Sequence, residues 1–323
     1  MGRRSSLACA VLVLAAACSD FTPAEAPAPG EDAGVVVPGD AGPVATTCDP
    51  AAAFDEPTPM ADLAGDGTGS TLRLSSDGLF GYLSIRQADP TTTGAGAERD
   101  IVIAARPTTT DPFGSLAVVA ALRSTASDDS PTVTGDGLTA YFASTRPGSV
   151  GSFDIWFATR ASAGVEFGAP ALVDGVNSGE SDASPFVRED GNVLYFSRTK
   201  GLQNHDLWRA ERTVNGFVAK VVSELSEGDE QHAVVTPDDL VMYYASTSPD
   251  GQPANLDVWV STRAGARDAF GTPRRVAELG TPGDDIPTFL TADRCTLYLT
   301  RRTLDGLGFE TSRSLLVARR RPR

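Results

Sequence analysis

Histidine is almost missing from this 323-residue chain, which has only His205 and His232. With so few imidazoles a serine or cysteine triad has little choice of base, and no G-x-S-x-G elbow presents a nucleophile. Cysteine is nearly as scarce. Four occur, at 9, 18, 48 and 295, none in a C-x-x-C pair, so the usual zinc ligand sets cannot be assembled. Beyond the N-terminal run no apolar segment approaches about 18 residues, the length a membrane-spanning helix needs. Positive charge is short as well: Lys and Arg number 27 against 42 Asp and Glu, a formal net charge of -15. Such a surface repels phosphate backbones, so nucleic acid is not an expected partner. Apolar runs of helical period are also absent, which leaves strands and turns, and Gly 32 with Pro 22 supports many turns.

The chain opens MGRRSSLACAVLVLAAAC: two arginines, an apolar run from Leu7 to Ala17, then small residues ending in Cys18. That order is the order of an export signal, and the run is too short to span a bilayer. The ending LAAAC resembles the bacterial lipoprotein box, which implies lipidation of Cys18 after loss of residues 1–17. Cleavage by the ordinary signal peptidase is the alternative. Residues 18–47 are rich in Pro, Ala and Gly, with five acids and no base after Cys18. They cannot bury enough apolar surface to offset chain entropy and read as a disordered tether with a typical reach of about 30 Å. The folded part is expected at 48–323.

A period of about fifty residues runs through that part. SFDIWFATR at 152–160 returns as NHDLWRAER at 204–212 and NLDVWVSTR at 255–263, with a weaker copy, RDIVIAAR, at 99–106. Its aspartates, Asp100, Asp154, Asp206 and Asp257, stand 54, 52 and 51 residues apart. Ahead of each copy, and once more at the C-terminal end, comes a Tyr followed by Tyr, Phe or Leu, from Tyr82 to Tyr298. Four of these pairs follow an S-D-G, G-D-G, E-D-G or P-D-D turn; the fifth turn, TADRC, has lost its glycine. Five units of four short strands, rich in aromatic and branched residues, predict an all-β fold: a five-bladed β-propeller of four-stranded antiparallel blades.

The string D-x-S-P-x-x-x-x-D-G-x-x-x-Y-F-x-S-x-R followed by D-I-W, nearly complete at 128–156, resembles the WD40-like (PD40) repeat of TolB-type propellers. The match covers roughly residues 67–320. That resemblance is specific for fold, because the same repeat occurs in periplasmic TolB, in the lid of prolyl-oligopeptidase-like enzymes and in many bacterial envelope lipoproteins. TolB itself usually has six blades, so six is the alternative count. With the fifth repeat at the end of the sequence, the hydrolase domain those peptidases carry after their propeller is not expected.

How the ring closes follows from a third marker. Phe113, Phe167, Phe217 and Phe270 open outermost strands, but nothing comparable follows the fifth repeat. Phe54, ahead of the first repeat, opens a matching segment, so residues 54–63 are expected to supply the outer strand of the last blade and leave no open edge. Cys48 and Cys295 then fall on one face of that blade. In an oxidising compartment they are expected to form a disulfide, with a stabilisation on the order of 4 kcal/mol.

Candidate sites remain. Trp156, Trp208 and Trp259 are read as filling space between blades, with sugar stacking as the other reading. Acids recur just before the innermost strands: Asp128, Asp182, Glu230 and Asp284. They are expected either to ring one mouth of the channel, where they could draw cations such as Ca²⁺, or to cap their own loops. No other cofactor is implied. The basic tail ARRRPR, 318–323, reads as a frayed end. The functional expectation is a monomeric, exported, lipid-anchored scaffold that is not an enzyme and binds an envelope protein or a glycan through one rim. It would lie on the periplasmic side or on the outer membrane or cell surface. The rival is a glycoside hydrolase, with Asp129 and Asp182 as candidate carboxylates.

Overall fold

In every unit the same tight turn sets the register. Asp77, Asp136, Asp190, Asp238 and Asp293 each accept the backbone N–H two residues on, at 2.9 to 3.1 Å. The residue between lies in the left-handed region, where glycine is favoured. Gly78, Gly137 and Gly191 occupy it in three turns, while Asp239 (φ 61°) and Arg294 (φ 62°) hold the same conformation without glycine. The fifth turn therefore keeps its shape even though its glycine is gone.

A computed structural model describes residues 48–63, 70–86, 98–201, 204–247, 255–306 and 310–321. It is a five-bladed β-propeller. Blade 1 comprises Ser70–Leu74, Phe80–Arg86, Arg99–Ala105 and Ala117–Val118. Blade 2 comprises Asp128–Val133, Thr139–Ser144, Asp154–Thr159 and Ala171–Leu172. Blade 3 runs through Asp182–Val187, Val193–Lys200, Asn204–Thr213 and Gly216–Val221. Blade 4 runs through Glu230–Val235, Val241–Ser246, Asp257–Thr262 and Arg274–Arg275. In blade 5 the strands Asp284–Leu290, Thr296–Leu304 and Glu310–Arg319 are completed by Thr58–Pro59 from the other end of the chain. All pairings are antiparallel. No helix among the described residues is long and apolar enough to cross a membrane.

The closing strand is short but well anchored. Thr58 and Pro59 pair with Val317 and Leu316, and Phe54 bridges to Arg320. Met60 and Leu63 continue into an apolar cluster with Leu72 and Phe113 of blade 1 and Tyr298 and Leu315 of blade 5. A disulfide joins Cys48 to Cys295 across 247 positions, Cα to Cα 5.7 Å.

Five arginines, one at the C-terminal end of each third strand, account for much of the seam between blades. Arg106, Arg160, Arg212, Arg263 and Arg320 each lie over the phenylalanine that opens their own outer strand: Phe113, Phe167, Phe217, Phe270 and Phe54. The guanidinium-to-ring distances are 4.2 to 4.6 Å. Four of them also donate across the seam, to the hydroxyls of Tyr82, Tyr141, Tyr195 and Tyr243 in the preceding blade. Ala318 to Arg320 correct the reading of the tail as frayed, while residues 322–323 lie outside the described residues. Arg320 is 8% exposed, because with Phe54 in the fifth outer strand it is the arginine that belongs over that ring.

Candidate functional site: the axial cavity

Each innermost strand is broken by a bulge near its start. In four blades the bulged residue has positive φ without being glycine: Thr71 (55°), Ser130 (53°), Ser184 (51°) and His232 (54°). Such backbone costs of order 1–3 kcal/mol per residue and persists only where the surroundings enforce it. In blade 5 the matching residue, on the pairing register, is Pro287, whose ring cannot adopt that conformation. The four residues share one feature: all line a cavity of about 370 Å³ on the ring axis.

All five innermost strands contribute to this cavity, through Ser70, Asp129, Ala183, Gln231 and Ile286. Arg99, Arg302 and Arg313 stand at its wall. Arg99 pairs with Asp129 at 3.4 Å and donates to Ser70 Oγ at 2.8 Å. Arg302 pairs with Asp284 at 2.8 Å, and Arg313 donates to Glu310 at 3.0 and 2.5 Å. His205 contacts Asp229 at 2.8 Å through Nδ1. His232 has its Nε2 3.4 Å from Ser184 Oγ, while its Nδ1 is buried without a partner. Burial, with Arg73 and Arg302 nearby, pushes His232 down to about 3, so it is neutral at pH 7.

Asp129 is the one carboxylate among the described lining residues. Burial alone would push its pKa up, but the Arg99 guanidinium, the Ser84 hydroxyl and the Ser130 N–H outweigh it and hold the carboxyl below the usual range. An ionised, arginine-bound carboxylate is poorly suited to protonate a leaving group, which needs a raised pKa. Asp182, its suggested partner in hydrolysis, does not line the cavity.

The recurring acids, read either as a collar at the mouth or as caps of their own loops, are hydrogen-bonded within their own blades. Asp128 (0% exposed) accepts from Ser124 N, Ser124 Oγ, Ser144 Oγ and Arg146 at 2.6 to 2.9 Å. Asp182 is held in the same way by Ser178 and Arg198. In blade 5 the equivalent residue is Asp285, held by Thr281 and Arg301; Asp284 lies one position early in the register. Glu230 departs from the pattern. It accepts from Gly228 N and Ser246 Oγ, has no arginine partner, and is pushed up to about 7, chiefly by burial. No cluster of three or more His, Cys, Asp or Glu side chains suited to a metal occurs among the described residues.

The recurring Asp-x-Trp residues make their polar and stacking contacts within their own blades and adjoining loops. Asp154 accepts from Val150 N and Gly151 N, and Asp100, Asp206 and Asp257 pair with Arg123, Lys200 and Arg275. Trp156 is 8% exposed, Trp208 stacks on Phe196, and Trp259 donates to Ser246 O. None of these lines the axial cavity. His232 was noted only for the scarcity of histidine, and its departure from the repeat was the available signal; the arginines went unnoticed, Arg99 and Arg313 being equivalent positions that only blades 1 and 5 fill with arginine.

Solved structures similar to this chain include TolB proteins and glycoside hydrolases. The TolB from Acinetobacter baumannii aligns at TM-score 0.45 and 10% identity, over 79% of this chain, which spans 55% of that one. A putative TolB from Agrobacterium tumefaciens aligns at TM-score 0.46 and 13% identity, over 84% and 91% of the two chains. RS223-β-xylosidase aligns at TM-score 0.52 and 14% identity, over 82% and 94%. At these identities the likeness is one of fold. No family model and no curated protein matches the sequence.

Proposed function

We propose that this protein is an exported, lipid-anchored binding propeller that engages an envelope protein or glycan through the face on which the axial cavity opens. The observation that carries the reading is the cavity's composition. It is rich in hydroxyls, amide and guanidinium groups, and its single described carboxylate, Asp129, is committed to Arg99. A hydrolytic pair needs two carboxyl groups about 5 to 10 Å apart with divergent pKa values. Ser130, Ser184, Gln231 and Thr300 instead supply directional donors and acceptors of the kind that fix the orientation of a polar ligand. In this reading Cys18 carries the anchor and residues 18–47 hold the ring away from the membrane.

Site-specific photocrosslinking in cells tests the proposal. A crosslinker at Gln231, on the cavity wall, is expected to capture a defined envelope component; one at Val218, exposed on the outer strand of blade 3, is not. Capture from Val218 alone would move the binding surface to the outer edge and contradict the proposal.

A further inference from the structure

The innermost strand of blade 1 carries an arginine where the other blades have uncharged residues. On the pairing register Arg73 opposite Tyr82 corresponds to Thr132, Phe186, Val234 and Phe289 opposite their own tyrosines. Arg73 is 1% exposed. Its guanidinium crosses the ring axis, with the Phe186 ring of blade 3 at 5.0 Å and Ala233 O of blade 4 at 3.5 Å from Nη2. Nε and Nη1 are buried without a hydrogen-bond partner, and no carboxylate among the described residues pairs with the group. Arg146, buried almost as deeply, is very different: it holds Asp128, Ser144 and the Leu122 carbonyl.

Arg73 borders a second, smaller cavity of about 40 Å³, which Thr132, Phe186 and Phe289 also line, with Arg188 and the exposed Glu189 as its other charged residues. That volume admits about one water or one ion of similar size, and no organic ligand. A water would supply an acceptor but leave the charge unbalanced. Burial brings the Arg73 pKa down only to about 9, so the group is still a cation at pH 7. A positive charge with unpartnered N–H donors beside a space of one small ion is the setting of a monovalent anion.

We propose that a single anion of halide size occupies this cavity, held by an N–H of Arg73 that has no partner within the protein, on Nε or on Nη1. The ion would neutralise the axis and tie blade 1 to blades 3 and 4 from the inside. The inference rests on Arg73 and its cavity and is independent of the binding function proposed for the larger cavity.

Thermal unfolding of the purified full chain in sodium chloride and in sodium gluconate, at equal ionic strength, is the first test. Tm is expected to be at least about 3 °C higher in roughly 200 mM chloride and to saturate with concentration. Arg73→Met should abolish the difference. Crystals of the unsubstituted protein grown in bromide provide the second readout, which does not depend on the variant folding. An anomalous peak within hydrogen-bonding reach of Arg73 Nε or Nη1 is expected. Equal Tm in the two salts, a chloride effect that survives Arg73→Met, or a site filled by water without bromide would each overturn the proposal.

Discussion

The seams between blades and the axis of the ring are built on opposite rules. At the seams a single solution is repeated: arginine over phenylalanine in all five blades, with a neighbouring tyrosine hydroxyl accepting from the same guanidinium in four. At the axis the five strands differ, contributing Arg73, Asp129, Ala183, His232 and Ile286, and atoms of Arg73 and His232 lack partners. Repetition marks what the fold needs in every blade. Departure from it marks where something else is required, and in this chain departures gather along the ring axis, around two cavities.

The seam that closes the ring is the hardest case for that comparison, because its two sides come from opposite ends of the chain. Replacing Cys48 and Cys295 by serine should cost about 4 kcal/mol in urea unfolding, since the bond closes a loop of well over 200 residues. A negligible loss would mean that the pairing of Thr58–Pro59 with blade 5 holds the ring unaided. Arg320→Ala should cost about 2–4 kcal/mol, through loss of the Phe54 contact and of the bond to the Tyr243 hydroxyl. Arg160→Ala, which removes the same contacts from an internal seam, should cost the same within about 1 kcal/mol. A much smaller loss at Arg320 would show the closing seam to be looser than the others.

The smallest effect separates Glu230 from its counterparts. Its folded pKa of about 7 lies above the ordinary value, so the folded state retains a proton that the unfolded chain has released. Stability should therefore fall as pH rises from about 4.5 to 7 and level off above that. Glu230→Gln, which keeps acceptors for Gly228 N and Ser246 Oγ, should remove this slope. The check is Tm against pH for the two proteins; parallel curves would contradict the assigned proton.

Much of the fold was legible because it repeats. The spacing of Asp100, Asp154, Asp206 and Asp257 marked the units, and the displaced Phe54 located the closing strand. The site was less legible for the complementary reason. Acids that recur, such as Asp128 and Asp182, could be read as a collar or as loop caps, and the sequence could not choose; each has an arginine partner within its own blade, Arg146 and Arg198. Asp284 was chosen over Asp285 because two adjacent acids cannot be told apart without the strand register. Arg73 and His232 carried the useful signal as exceptions, which a search for similarity passes over. The seam arginines recur too, but they entered the motif only as the residue at the end of each third strand. Their role depends on which rings fold beneath them.

The central claim is that the axial cavity binds without cleaving. Turnover of a panel of aryl glycosides by the purified protein and by Asp129→Asn tests it most directly. The account predicts equal background rates for both. A rate in the unsubstituted protein that falls by orders of magnitude in the variant would make Asp129 a catalytic carboxylate and the propeller a glycoside hydrolase.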